Sequence, residues 1–198
     1  TFNVEKGNIS IYQPTQAGRI FPDVPTFNDV DAERLYLKQR LVAACRAFAL
    51  EGFDYGFAGH LTIRDPARPE LYWTNPMCVH FAQVKVSNLI LVDHSGHVIE
   101  GDYAVNRAGF VLHAAVHEAN PDILAMCHAH TVYGTAFAAL GRPLDPISQD
   151  AAAFFEDHIV IKDEAGQVAV EEKAGLAVAD WFKGVKAAIH QNHGLLTA

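Results

Sequence analysis

The sequence is poor in several features that mark particular classes of protein. It has only 3 cysteines. Cys45, Cys78 and Cys127 lie far apart in apolar surroundings, which excludes a dense disulfide framework and favours reduced thiols in a cytoplasmic protein. Lys and Arg number 15 against 23 Asp and Glu, a formal net charge of −8, which argues against nucleic acid or a membrane surface as a partner. Because no apolar run reaches about 18 residues and no signal-peptide pattern is present, we expect neither a membrane span nor secretion.

What the sequence does contain fits one globular domain of moderate size. Half of its 198 residues are apolar and 19% are charged, as in ordinary folded domains with a sizeable core. Residues 1–26 lack hydrophobic periodicity and contain three prolines, so we predict an extended N-terminal arm. Residues 27–198 are predicted to form the domain itself.

The pattern of apolar residues and turn signals predicts alternating helices and short strands. A helix begins after Asn28 or Asp29 and ends at Gly52, with an apolar stripe that includes Leu35. Other predicted helices cover residues 107–119, 131–140 and 172–182. Strands are predicted at 58–64, 71–74, 89–92, 97–100, 123–130 and 187–192, near Ile147 and Ile159, and around a turn at 164–166. This mixture predicts an α/β fold with helices on both faces of a sheet.

Two histidines follow an apolar run that reads as a buried strand. His128 and His130 are two residues apart, so their side chains lie on one face of that strand, and Cys127 lies on the other. A third imidazole from a second strand, His193, would complete three ligands and leave a coordination position open, as in catalytic metal sites. Three imidazoles suit zinc, iron, copper or nickel. The alternative from the residues alone is that these are ordinary core histidines.

Residues 106–113 read NRAGFVLH, residues 121–130 read PDILAMCHAH and residues 191–196 read QNHGLL. These three segments resemble the class II aldolase/adducin family. The resemblance implies a three-layer αβα fold with a central mixed or antiparallel sheet, and a homo-oligomer, with a tetramer favoured. It also implies that His128, His130 and His193 bind one divalent ion, with zinc expected first and iron, nickel, manganese or cobalt as alternatives.

The sequence departs from the sugar-phosphate aldolases of that family where those enzymes hold phosphate and move protons. Gly109 stands at the position of the family's acid/base glutamate, and Arg107 and Ala108 stand at its phosphate-binding serines. The Gly59-His60 pair replaces a Gly-Asn pair, and residues 74–77 lack the family's phosphate-approaching glycine. These segments resemble the adducin-like branch more closely, so a phosphorylated substrate is not expected.

Two functions remain open after this comparison of residues. The first is a metal-dependent carbon–carbon lyase of aldolase or decarboxylase type, which acts through a metal-stabilised enolate on a non-phosphorylated hydroxy-carbonyl or keto-acid substrate. The alternative is a non-catalytic, adducin-like interaction protein with a structural or vestigial metal site. Because each buried imidazole nitrogen needs a partner, three retained histidines favour the enzyme.

Candidates for the catalytic residues are His60, Gln149 and Tyr133. His60 could be a base, a substrate contact or a hydrogen-bonded strand-end histidine, Gln149 lies in a polar loop, and Tyr133 could point into the cleft or pack in the core. His113 and His117, one helical turn apart, are weighed as a second metal site, with packing as the alternative.

Overall fold

The computed structural model describes residues 16–19, 25–56, 58–162 and 182–198. Most of the predicted N-terminal arm, the predicted hairpin at 164–166 and nearly all of the predicted helix at 172–182 lie outside these residues. Within them, no helix is both long enough and apolar enough to cross a membrane.

The first helix, α1 (Val30–Leu50), begins and ends where the sequence predicts. The Asp29 side chain caps it by accepting a hydrogen bond from the Asp31 amide, and the chain leaves it through Gly52 at a φ of +72°, which glycine adopts without strain. Its buried residues are Leu37, Leu41, Val42 and Cys45. Leu35 is 48% exposed, so its assignment to the buried stripe is wrong, because it lies off the face that packs on the sheet.

Eight strands form one mixed sheet, and three further α-helices follow α1 along the chain. The strands are β1 (His60–Arg64), β2 (Tyr72–Thr74), β3 (Ile90–Val92), β4 (Val98–Glu100), β5 (Ala125–Ala129), β6 (His158–Ile161), β7 (Ala187–His190) and β8 (Gly194–Thr197). The helices are α2 (Arg107–Ala119), α3 (Val132–Ala138) and α4 (Gln149–Ala152). The strand order is β4-β3-β2-β1-β5-β8-β7-β6. Every neighbouring pair is antiparallel except β6 with β7.

The two faces of the sheet carry different side chains because successive strand residues point to opposite sides. On one face Leu61, Ile63 and Trp73 pack with α1. On the other face Met126 packs with α2, and Tyr72 does the same further along the sheet. The predicted α/β fold, with helices covering both faces of a mixed sheet, is therefore confirmed.

One predicted strand is absent, and the two strands that lead to the three candidate metal-site histidines are shorter than predicted. No strand forms near Ile147, which lies between Pro146 and Ser148 and is 84% exposed; a proline has no amide to donate to a ladder. The strand expected at 123–130 spans only Ala125–Ala129. The strand expected at 187–192 ends at His190, and residues 191–193 form a turn.

Candidate metal centre

Two neighbouring strands bring the three histidines together. His128 is the fourth residue of β5, and His130 follows the end of that strand. β8 pairs with β5, so that His128 faces Leu196 across the ladder, and the turn before β8 carries His193. Asn192 in this turn has a φ of +59°, a conformation that Asn tolerates better than most residues.

We call His128, His130 and His193 the convergent cluster. Their ring centroids lie 4.8 to 4.9 Å apart, each ring edge-on to the others. One potential ligand atom from each ring lies within 4.8 Å of the other two. The Nε2 atoms of His128 and His130 are 2.9 Å apart. The three side chains therefore point at a common position that a single ion could occupy.

The protonation of the His128 and His130 rings suits metal binding. Nδ1 of His128 lies 2.9 Å from the Leu195 carbonyl oxygen; a carbonyl can only accept, so Nδ1 carries the proton and Nε2 keeps its lone pair. Burial, with help from neighbouring histidines, lowers the pKa of His128 well below its usual value. Burial, followed by the nearby His190, also lowers the pKa of His130. Both rings are neutral at pH 7, as metal ligands must be.

The convergent cluster opens into a cavity of about 200 Å³. The cavity is lined by Ala58, Gly59, His60, Met77, Asn106, Ala108, Gly109, Leu112, His128, His130 and His193. Gly194 permits the close packing beneath it, because a Cβ at this position would lie 2.8 Å from the Ala129 carbonyl oxygen and 3.2 Å from each of two histidine rings. No lysine or arginine belongs to the lining that the structure describes.

Of the three predicted catalytic residues, His60 alone lines this cavity. It begins β1, pairs with His128 across the ladder and is 4% exposed. Burial lowers its pKa to about 3, against an opposing effect of the Gly109 backbone. Neither ring nitrogen meets a hydrogen-bond partner of normal geometry within the described part of the chain.

The other two candidates lie elsewhere in the single chain. Gln149 is the exposed first residue of α4. Tyr133, on α3, is 89% exposed and borders a separate apolar cavity against β7 and β8, so it does not pack in the core of this chain. Their catalytic roles stay predictions.

His113 and His117 join a hydrogen-bonded group in which three of their four ring nitrogens have partners and only His113 Nε2 has none among the described residues. Thr62 Oγ1 lies 2.8 Å from His113 Nδ1 and 2.9 Å from His117 Nε2, and all three side chains are buried. We call Thr62, His113 and His117 the buried line. Two of the four ring nitrogens are thus occupied by Thr62, which argues for packing over a second metal site. Sequence analysis missed Thr62, although its position on β1, two residues after His60, places it on the same face.

A family model described as the class II aldolase and adducin N-terminal domain matches residues 39–198. This chain belongs to that family. Class II aldolases generally use a divalent metal ion, and the convergent cluster is a candidate for holding it.

Three of the most similar proteins give this membership more detail. The chain is 44% identical to a protein named decarboxylase NovR from Streptomyces niveus, over 89% of this chain and 66% of that one. It is 43% identical to a 4-hydroxy-3-prenylphenylpyruvate oxygenase/4-hydroxy-3-prenylbenzoate synthase from Streptomyces roseochromogenus subsp. oscitans, over 89% and 64%. A solved structure of L-fuculose 1-phosphate aldolase from Glaciozyma antarctica PI12 matches with a TM-score of 0.80 and 46% identity, over 88% and 68%.

Two of these three relatives have names of lyase type, a decarboxylase and an aldolase. The chain spans less than two thirds of the two Streptomyces relatives, at 66% and 64% of their lengths. The activities in their names therefore belong to proteins that are longer than this chain.

Proposed function

We propose that this chain is a metal-dependent carbon–carbon lyase, of aldolase or decarboxylase type, that acts on a non-phosphorylated hydroxy-carbonyl or keto-acid substrate. The observation that carries the proposal is the convergent cluster on the wall of a cavity, where the rings of His128 and His130 are neutral and the bond from His128 Nδ1 to a backbone carbonyl leaves its Nε2 as the ligand atom. In this proposal His128, His130 and His193 are the metal ligands, with zinc expected first and iron, nickel, manganese or cobalt as alternatives.

The residues fit a divalent ion. The donor set is three imidazoles at mutual distances that one ion can span, and the cavity beside it leaves room for a substrate. When bound, the ion supplies Lewis-acid stabilisation of negative charge on substrate oxygens. In decarboxylation of a β-keto acid the bond between the α-carbon and the carboxyl carbon breaks, its electron pair is delocalised onto the ketone oxygen as an enolate, and carbon dioxide leaves. A proton must then reach the carbon from water, because His60, which lines that space, is a neutral imidazole with a pKa of about 3 and can contact the substrate but is a poor proton donor.

The described lining of the cavity contains no Lys or Arg side chain, and this supports a substrate without phosphate. Phosphate sites usually supply Arg, Lys or a run of backbone amides. Arg107 is exposed, and its Cγ lies 3.7 Å from the position of a Cβ at Gly96, in the β3–β4 turn. It is therefore directed along the surface.

The names of the relatives support the same substrate class. One is named a decarboxylase, and the name of the other contains a phenylpyruvate, which is a keto acid. The similar structure named L-fuculose 1-phosphate aldolase makes that sugar phosphate the necessary comparison substrate.

We also propose a homo-oligomer, with a tetramer expected. Support comes from large apolar side chains that are exposed in the single chain beside the convergent cluster, among them Val132 at 68% and Tyr133 at 89%. Light scattering after size-exclusion chromatography tests the assembly. Alanine substitution of Gln149 and Tyr133 tests their proposed catalytic roles.

The decisive experiment combines metal analysis with a substrate panel. The purified protein is stripped with a chelator and reloaded with Zn²⁺, Fe²⁺, Mn²⁺, Co²⁺ or Ni²⁺. It is then assayed with oxaloacetate, 4-hydroxy-3-prenylphenylpyruvate and L-fuculose 1-phosphate, with and without oxygen. We expect one ion per chain and anaerobic release of carbon dioxide from a keto acid, with L-fuculose 1-phosphate a poor substrate.

Three results would overturn parts of this proposal. Fast cleavage of L-fuculose 1-phosphate contradicts the non-phosphorylated substrate. Strict dependence of turnover on oxygen contradicts lyase chemistry and indicates an oxygenase. Stoichiometric metal with no turnover of any substrate favours the adducin-like interaction protein.

A further inference from the structure

The space next to the convergent cluster is shared by two residues that are distant in sequence. A Cβ built on Gly109, in the first turn of α2, would lie 2.2, 2.4 and 2.6 Å from three ring atoms of His60. Real Cβ atoms do not approach other atoms this closely. The imidazole of His60 therefore occupies the volume that any side chain at position 109 would need.

The buried line has a fixed direction of hydrogen bonding. His117 Nδ1 lies 3.2 Å from the Ile123 carbonyl oxygen, which can only accept, so Nδ1 carries the proton and Nε2 is an acceptor. Thr62 must then donate to His117 Nε2, and its oxygen accepts from His113 Nδ1. Each neutral ring is thereby locked in one tautomer, and His113 is held rigidly inside the α2–sheet interface.

His113 in turn lies directly against His60. Their ring centroids are 4.1 Å apart, and on its other side His60 lies 5.1 Å from His128. His60 is thus a buried ring held by its neighbours, with no hydrogen bond of normal geometry to the described residues at either nitrogen, on the wall of the cavity. A buried polar group without a partner is costly unless a ligand supplies one.

We propose that His60 is a substrate-contacting residue that binds an oxygen of the ligand beside the metal. In this proposal Gly109 is required to make room for the His60 ring. The buried line positions the His60 ring through His113. The inference deepens the proposed function and rests on it. The ligand is a carboxylate or keto acid. Two of its oxygens bind the metal, and a further oxygen accepts a hydrogen bond from an N–H of His60.

A pair of anionic probes separates this contact from metal binding. The protein is loaded with Co²⁺, and the binding of oxalate and of azide is followed by visible absorption. Oxalate can chelate the ion and still present two oxygens to the cavity wall, whereas azide binds through one end. We expect His60→Ala and Gly109→Ala to weaken oxalate binding about 10-fold or more, with azide affinity and cobalt content unchanged.

A double-mutant cycle provides the matched control. If Gly109→Ala acts by displacing His60, it should have no further effect on oxalate binding in the His60→Ala background. Ala also favours helix more than Gly, so the loss in the single variant is not expected to come from an unfolded α2. Additive losses in the double variant, or full oxalate affinity in both single variants, would overturn the assignment of His60.

The positioning role of the buried line has its own test. Thr62→Val removes the hydroxyl between the two histidines and should weaken oxalate binding about 3- to 10-fold with azide unchanged, and Thr62→Ser should restore it. A lower melting temperature with unchanged oxalate affinity would show that the line is only structural. Failure of the proposed function would be seen in the unaltered protein, as absent cobalt binding or absent turnover. Failure of the His60 assignment would be seen only in the variants.

Discussion

The convergent cluster and the buried line lie on the same side of the sheet and use the same residue type for different purposes. In the convergent cluster, His128 bonds a backbone carbonyl through Nδ1 and turns its other nitrogen toward two more histidines. In the buried line, Thr62 accepts from one ring and donates to the other. The difference lies in the groups between the rings, since the Thr62 hydroxyl bonds one nitrogen of each imidazole and occupies the position between them that an ion would need.

The contrast shows that a pair of histidines at a suitable spacing is insufficient evidence for a metal site. His113 and His117 have helical spacing that can bind metal, and they are more deeply buried than His130. What distinguishes the convergent cluster is that one nitrogen from each of its three rings converges on a common position beside a cavity. The following experiments test this distinction, beginning with the largest expected effect.

Removing one member of the convergent cluster should abolish metal binding. We expect His130→Ala to reduce the metal content of the purified protein by about 10-fold or more and turnover by about 1000-fold, since the Lewis acid supplies several kcal/mol. Metal analysis and an assay with the substrate found by the panel check this. His94→Ala is the control, because His94 is exposed. Full metal occupancy in His130→Ala would contradict the assignment.

Removing one member of the buried line should affect stability instead. His117→Ala deletes a ring that stacks on Tyr72 with centroids 4.7 Å apart and leaves Thr62 with one partner fewer. We expect a loss of about 3 kcal/mol in the free energy of unfolding, measured with urea, and unchanged metal content. Loss of metal at normal stability would mean that the two groups are not distinct.

Acid should destabilise the metal-free protein through the buried line. Burial, followed by the charge of Arg64, lowers the pKa of His117 from 6.5 to about 4. Below pH 6.5 the unfolded chain therefore binds more protons than the folded one, and stability falls as the pH decreases toward 4. The slope expected from one such histidine is about 1.4 kcal/mol per pH unit.

Urea unfolding at several pH values between 4 and 7, in the presence of a chelator, measures this slope. His117→Gln should show a shallower dependence than the unaltered protein over the same range. Equal slopes in the two proteins would show that His117 is protonated in the folded state as readily as in the unfolded one.

Substitutions in the turn that carries His193 should have the smallest effect, a small change in metal affinity. Asn192 has a φ of +59°, so Asn192→Ala introduces backbone strain of about 1 kcal/mol, whereas Asn192→Gly removes it. We expect the alanine variant to lose metal at a somewhat lower chelator concentration and the glycine variant to behave normally. Indistinguishable chelator titrations for the two variants would show that the turn does not position the ligand.

Much of the architecture could be predicted from local patterns. Strand alternation placed His128 and His130 on one face and Cys127 on the other, and Asp29 and Asn106 both cap the helices that follow them. His193 was found by resemblance, because nothing in a single turn reveals which strand it will approach. The exposure of Leu35 and Ile147 was not predicted, since an apolar residue within a helix or directly after a proline carries no local sign of whether a neighbouring element will cover it.

The arrangement around His60 could not be predicted from local patterns, because it joins residues far apart in the chain. His60 lies on β1 and Gly109 on α2, and their shared volume exists only when the helix packs on the sheet. Likewise, Thr62 looks like an ordinary strand residue until His113 and His117 reach it. Sequence predicts which residues carry chemistry more readily than it predicts which of them compete for space.

The contact between His60 and Gly109 also restricts the order in which this site could have evolved. An imidazole at position 60 cannot be accommodated in this pose while position 109 bears a side chain, so His60 could adopt this pose only once position 109 was glycine. Among descendants, reversal at position 109 is blocked as long as His60 remains. In an alignment of related sequences, histidine at position 60 should therefore occur together with glycine at position 109.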